Sequence, residues 1–235
     1  MSLRNIREIL LDIILPAQCV VCGRDLANGE QDICLHCMAA FPRVTLRSIT
    51  ENEIHRRLMT KDTEIEHAGA LMLYNRESTY ARLIHTAKYS GRPALCRRLG
   101  NMLANSLITS GFFDSIDLIV PVPMPMFKKL RRGYNQSAEI AHGISDISHI
   151  PVADDCLRSR RHSTQTHKNS AGRLENTRHA YFMTHTAGWK GVRHILLVDD
   201  VITTGATMLA CAHHLHQGIP DVKVSVAAVA LTTLN

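Results

Sequence analysis

Aromatic residues make up only 5% of this 235-residue chain, with a single tryptophan. That scarcity argues against a single-strand nucleic-acid binder built mainly on stacked bases. No apolar run approaches the roughly 20 residues that a membrane-crossing helix needs, so integral membrane insertion is not expected. The sequence has no G-x-x-x-x-G-K-[ST] phosphate loop, no internal repeat, no heptad array and no low-complexity tract. Charge imbalance is modest, since 27 Lys and Arg face 21 Asp and Glu for a net +6. Of those 27 cations, however, 20 are arginine, whose planar paired donors suit phosphate and carboxylate. Anionic ligands therefore come into view early. The hydrophobic fraction of 45% is ordinary for a globular protein and too high for a disordered one. The length suits one large domain, or one medium domain with a small module.

Residues 1–15 carry Arg4 and Arg7, then an apolar stretch from Ile9 to Leu15 before Pro16 and Cys19. A secretory or lipoprotein signal is a poor reading. Asp12 breaks the stretch, and Gln18 is not the small residue that processing requires. Leu3, Ile6, Ile9, Leu10, Ile13 and Ile14 recur at helical spacing, which predicts an amphipathic helix ended at Pro16. A cytoplasmic location is expected.

Four of the seven cysteines fall together, as Cys19-Val20-Val21-Cys22 and, after eleven residues, Cys34-Leu35-His36-Cys37. Two C-x-x-C knuckles in a short loop-rich segment can place four thiolates tetrahedrally around one Zn²⁺. Gly23 follows the first pair, where a knuckle needs a tight turn. Paired disulfides do not suit a cytoplasmic chain, and a redox C-x-x-C expects one pair rather than two in tandem. Structural zinc on Cys19, Cys22, Cys34 and Cys37 is the expectation, with His36 a substitute ligand. Such a closed site stabilises the fold and leaves no open coordination position for catalysis. Cys96, Cys156 and Cys211 are isolated fillers. His213, His214 and His216 cannot share one helical face, so no metal site is expected there.

After a polar connector with a short helix around Glu51 to Met59, strand and helix patterns alternate. Strands are predicted at Ala68 to Tyr74, Ile116 to Val122, about His149 to Val152, Ala180 to Thr184, Ile195 to Val198 and Val222 to Leu231. Helices are predicted at Glu77 to Tyr89, Ala94 to Thr109, Tyr134 to Ile147 and Met208 to Gln217. This alternation implies an α/β fold with a mostly parallel sheet. Much of Asp155 to His179 lacks periodicity and reads as a long mobile loop, which suggests function.

The most informative segment is Ile195 to Thr207, where an apolar strand runs into Asp199-Asp200 and then the small-residue loop Thr203-Thr204-Gly205-Ala206-Thr207. Backbone amides of such a loop, its hydroxyls and the following helix N-terminus suit a dianionic phosphate. Gly205 lets the backbone approach closely. The two acids repel that phosphate and must face hydroxyls or a metal. A ribose 5-phosphate fits both halves.

The segment Val198 to Thr207 resembles the phosphoribosyl pyrophosphate (PRPP) signature of type I phosphoribosyltransferases. Ile84 to Arg92, Val120-Pro121-Val122-Pro123, Arg131-Arg132-Gly133-Tyr134-Asn135-Gln136-Ser137 and the four-cysteine knuckle narrow the resemblance to the ComF/GntX family. That family is associated with natural competence. The resemblance implies a type I phosphoribosyltransferase sheet with a small N-terminal zinc module held by four cysteines. With the patterns above, the chain divides into an N-terminal helix over 1–15, the zinc module over 16–45, a connector over 46–66 and, by the resemblance, a phosphoribosyltransferase-like domain over 67–235. The resemblance also implies that Asp199 and Asp200 bind ribose hydroxyls as the catalytic pair, and that Thr203, Thr204, Gly205, Ala206 and Thr207 hold the 5-phosphate. Lys88, Arg92, Pro123, Arg131, Arg132, Asn135 and Gln136 become pyrophosphate candidates. Arg160, Arg161, Gln165, Arg173 and Asn176 become lid candidates. The chain departs from the family pattern at His162 and Lys168, where Thr and Leu are usual, and at Ala206, where Ser or Gly is usual.

Two function classes follow. In one, the site binds PRPP with Mg²⁺, which is chelated mainly by pyrophosphate and ribose oxygens, and supports phosphoribosyl transfer. Met1-Ser2 rather than a cysteine opens the sequence, so a glutamine-dependent amidotransferase is not expected. In the other, a non-catalytic competence protein binds single-stranded DNA or partner competence proteins and uses the site for a regulatory nucleotide or DNA backbone. The ten cations against five acids between Lys128 and Arg178 suit either class.

Overall fold

A computed structural model describes residues 17–46, 48–58, 63–160, 180–184, 189 and 191–233. The predicted N-terminal helix and the lid candidates Arg161, Gln165, Arg173 and Asn176 lie outside them. Chain order runs α1 (Leu35–Ala39), α2 (Glu53–Leu58), β1 (Ala68–Tyr74), α3 (Ala81–Tyr89), α4 (Pro93–Leu107), β2 (Leu118–Pro121), α5 (Met126–Arg132) and α6 (Gln136–Ser148). It continues through β3 (Leu157–Ser159), β4 (Tyr181–Met183), β5 (His194–Ile202), α7 (Ala206–Gly218) and β6 (Lys223–Thr232). Four strands form a sheet in the order β1-β6-β5-β2, parallel throughout. This is the α/β architecture with a parallel sheet that the alternating pattern predicts.

Successive residues of β5 point to opposite faces, and its apolar run is buried on both. Leu196 and Val198 pack with Leu99, Leu103, Ile140 and Ile144 of α4 and α6. Ile195 and Leu197 pack with Met208, Leu215 and the α2 residues Ile54 and Leu58. The helices α4 and α6 press together at Gly100 and Gly143, where an added Cβ would lie 2.2 Å from the Ile140 carbonyl oxygen and 2.0 Å from that of Arg97. A bidentate Arg97–Asp146 pair at 2.6 Å ties the same two helices.

The four-cysteine segment shares this core. Cys19, Val21, Ile33, Cys34, Cys37 and Phe41 belong to the apolar cluster that holds Leu83 and Ile84 of α3 and Leu95 of α4. Among the described residues, no helix is long and apolar enough to cross a membrane.

Several boundaries differ from expectation for identifiable reasons. β5 does not stop at Val198, because pairing with β6 continues to Ile202 opposite Leu231. The strand expected at 149–152 is reduced to one bridge, Val152 beside Ile119. Part of the expected long loop is ordered, since β3 pairs antiparallel with β4. The helix expected from Glu77 starts at Ala81, after a turn in which the Asn75 side chain accepts from the Glu77 amide. Finally, α5 has no counterpart among the predicted helices. Pro121, Pro123 and Pro125 punctuate the segment before it, yet Pro125 serves as its N-cap and Gly133, at φ +86°, ends it.

Candidate functional site

The two acids sit near the carboxyl end of the central strand β5, where open α/β sheets form their binding crevices. Asp199 Oδ1 accepts hydrogen bonds from Ser137 Oγ at 2.8 Å and from the Asp200 amide at 2.8 Å. Asp200 Oδ2 pairs with Lys88 Nζ at 3.1 Å. α3 therefore brings its last-turn cation to the acid pair, and α6 brings its first-turn hydroxyl. Asn135 fixes that turn: its side chain accepts from the Ser137 amide at 3.2 Å and donates to the Val122 carbonyl at 3.1 Å. Gln136 donates to the Lys88 carbonyl at 3.4 Å and accepts from Arg132 at 3.1 Å. Tyr134, in the turn between α5 and α6, donates to the Ala87 carbonyl of α3 at 2.6 Å.

These residues enclose a cleft of about 190 Å³ lined by Lys88, Pro123, Lys128, Arg132, Asn135, Gln136, Ser137, Asp199 and Asp200, among others. Burial, and next the neighbouring Asp200 charge, push the Asp199 carboxyl up to about 7, against the opposing Ser137 hydrogen bond. Two carboxylates in one crevice are poised to bind hydroxyls or share a cation. A free anion would be repelled by them.

The predicted phosphate loop follows β5 directly. Thr203 and Thr204 are exposed, and Gly205 sits at φ +79° as N-cap of α7, with no side chain capping the first-turn amides. A helix leaves its first-turn amides without intrahelical partners, an arrangement that suits an anion. A Cβ on Gly205 would lie 2.2 Å from Leu58 Cδ2, so both backbone angle and space require glycine. The loop residues adjoin the acid pair in sequence and do not line the 190 Å³ cleft.

Not all candidates converge. Arg92 turns away to the cysteine segment, where it meets Asp32 at 2.6 Å. Arg131 is exposed on α5, outside the cleft lining. Arg160 lies over the Phe182 ring at 5.4 Å, beside the β3–β4 pair. Two groups that touch the candidate residues escape a reading of the sequence. Ser137 stands there only as the end of a motif, although it holds Asp199. Tyr181, on β4, interacts with the Thr207 hydroxyl, and burial pushes its phenol up to about 12. The sequence signal for Ser137 is its place one step after an Asn-Gln helix start. Tyr181 carries none.

The cysteine cluster is geometrically complete. The Sγ atoms of Cys19, Cys22, Cys34 and Cys37 all lie within 4.8 Å of one another, and Cys22 and Cys34 are 3.8 Å apart. A tetrahedral site with Zn–S of about 2.3 Å requires sulfur separations of about 3.8 Å, so the donor set fits zinc. Backbone amides of Cys34 and Cys37 donate to Cys19 and Cys34 Sγ at 3.4 Å, the sulfur solvation that thiolate ligands use. His36 is exposed and outside the cluster. Cys96, Cys156 and Cys211 are buried, and burial pushes the first two up to about 12, so they are inert fillers.

No family model matches the chain. It is 31% identical over 110 residues to Competence protein F of Haemophilus influenzae, a stretch covering 46% of this chain and 48% of that protein. The chain thus matches about half the length of that relative. It is 27% identical over 225 residues to the DNA utilization protein YhgH of an Escherichia coli strain, covering 90% of this chain and 96% of that one. The YhgH protein of Salmonella typhimurium is 24% identical over 224 residues, with 90% and 96% covered. Among solved structures, that of the allosteric regulatory enzyme of purine biosynthesis aligns with 61% of this chain and 26% of its own, at 22% identity and a TM-score of 0.38.

Proposed function

We propose that this ComF-like protein, with relatives matching 90% of its length, binds PRPP together with Mg²⁺ in the β5 cleft and acts in DNA uptake during natural competence. The observation that best supports this reading is the acid pair Asp199–Asp200 set directly before a glycine-started, uncapped helix. That order separates a hydroxyl-binding half from a phosphate-binding half, as a phosphorylated ribose demands. Asp199 and Asp200 take the ribose hydroxyls. Thr203 to Thr207 and the α7 amides take the 5-phosphate. Lys88, Lys128 and Arg132 meet the pyrophosphate across the cleft.

Mg²⁺ would be held mainly by pyrophosphate and ribose oxygens beside the acid pair, where it would neutralise negative charge. Phosphoribosyl transfer at this site breaks the C1–O bond of PRPP. Pyrophosphate leaves with the electron pair, and an acceptor nucleophile bonds C1 through an oxocarbenium-like state. Arg132 and Lys128 stabilise the charge on the leaving group. A second reading has its own support in the exposed cations Lys129 and Arg131 and in the relatives' names, which speak of competence and DNA. In it, the protein is a non-catalytic binder of nucleic acid or a competence partner, with the cleft holding a regulatory nucleotide.

Calorimetry with PRPP and Mg²⁺ on wild type and on Asp199→Asn/Asp200→Asn tests the first reading. Heat from wild type that the variant loses supports it; no heat from wild type sinks it. PRPP binding without turnover across bases, with DNA binding that weakens steeply as salt rises, favours the second.

A further inference from the structure

The helix α5 is built inside out. Among its seven residues, Met126-Phe127-Lys128-Lys129-Leu130-Arg131-Arg132, none is buried. Its three large apolar side chains are the most conspicuous exposed ones beside the cleft: Met126 at 55%, Phe127 at 57% and Leu130 at 78% of full exposure. At about 100° per residue these three share one arc of roughly 100°, flanked by Lys129 on one side and Arg131 on the other. Lys128 and Arg132 fall on the opposite arc and line the cleft. The cationic face therefore turns toward the protein's own crevice, and the apolar face turns outward. Tyr89, 56% exposed, packs on the other side of the helix, where the Arg132 guanidinium lies 5.0 Å from its ring centre.

A helix this short is marginal by itself, and core packing does not explain its apolar face. No acid occurs between Asp117 and Glu139, so the flanking cations have no local counter-charge in sequence. We infer that α5 is an interfacial helix that rests on an anionic phospholipid surface. Met126, Phe127 and Leu130 enter the headgroup–acyl boundary, while Lys129 and Arg131 meet lipid phosphates. Charge complementarity selects an anionic partner. A bilayer accepts three neighbouring exposed apolar side chains without a matching groove, which a protein partner would need. Two of the three apolar side chains are aliphatic and cannot stack on bases, which disfavours nucleic acid as the occupant. The chain would lie on the membrane without crossing it, with the cleft on the side of α5 that faces away from the lipid. This inference does not depend on what the cleft binds.

The test is cosedimentation of the full, zinc-loaded chain with vesicles of phosphatidylcholine, with and without phosphatidylglycerol. Binding is expected only with phosphatidylglycerol, falling at least about tenfold in Phe127→Ser/Leu130→Ser and in Lys129→Glu/Arg131→Glu, and falling as salt rises. All four positions are exposed, so unchanged thermal unfolding accompanies the loss. In Phe127→Trp, tryptophan emission shifts to the blue on anionic vesicles. The inference is overturned if wild type ignores the vesicles, or if Phe127→Ser/Leu130→Ser sediments like wild type, which would assign binding to another segment such as residues 1–16. It is also overturned if that variant loses only a single-stranded oligonucleotide, which would assign the face to nucleic acid.

Discussion

The cysteine segment and the β5 cleft, two charged regions of one molecule, handle charge in opposite ways. In the cysteine segment every prominent charge has a partner within the protein. Asp32, buried at φ +55°, receives both Arg92 and Arg98, and Glu30 pairs with Arg24 while accepting the Ala27 and Leu35 amides. Arg82 donates to the Val21 carbonyl and Tyr80 to that of Cys37, fastening the segment to α3. In the cleft, two carboxyls stand side by side, one held up to about 7, with Lys88 bonded to the other. A region that serves only its own stability satisfies its charges internally. One that keeps like charges together at a crevice holds free energy in reserve for a guest.

The largest test of this contrast is zinc removal. The cluster shares the main core with α3 and α4, so chelation or Cys34→Ser is expected to abolish the cooperative thermal transition of the chain, as calorimetry would show. Survival of a sharp transition at the original temperature would make the segment an appendage. Next comes Asp32→Ala, which leaves two arginines facing a buried, empty site. Because Arg92 and Arg98 are 44% and 39% exposed, the cost is discounted to about 2 kcal/mol, or a drop in Tm of about 4–8 °C.

In the cleft the sign reverses. Between about pH 4 and pH 7 folded Asp199 keeps a proton that the unfolded chain has lost, so stability falls as pH rises through that window. Asp199→Asn is therefore expected to raise Tm above pH 7 by about 3 °C, with the gap closing near pH 4. A lower Tm for that variant at pH 8 would mean the acid pair is structural. The smallest expected effect is Ser137→Ala, which removes one hydrogen bond to Asp199 and should weaken PRPP binding about fivefold to tenfold with little change in Tm.

What the sequence discloses divides along the same line. The four-cysteine cluster is legible because its members are close in sequence and their residue type is rare. The parallel sheet is legible because buried strands read as apolar runs. The acid pair and its glycine loop are legible because strand, acids and helix start follow one another without interruption. Arg92 is misplaced by a local reading because its partner, Asp32, lies sixty residues away, a distance no local pattern reveals. α5 escapes because its apolar face looks outward, so its periodicity carries no core signal. The extra length of β5 comes from pairing with β6, a tertiary effect that overrides the local appearance of Asp199-Asp200 as a strand end.

The central claim, that the cleft is a ligand site and the cysteine segment a structural one, meets its most direct test in one double variant. Asp199→Asn/Asp200→Asn should lose PRPP binding in Mg²⁺ while keeping a full zinc complement and a Tm at least equal to wild type. Binding equal to wild type, or zinc lost together with binding, would contradict it.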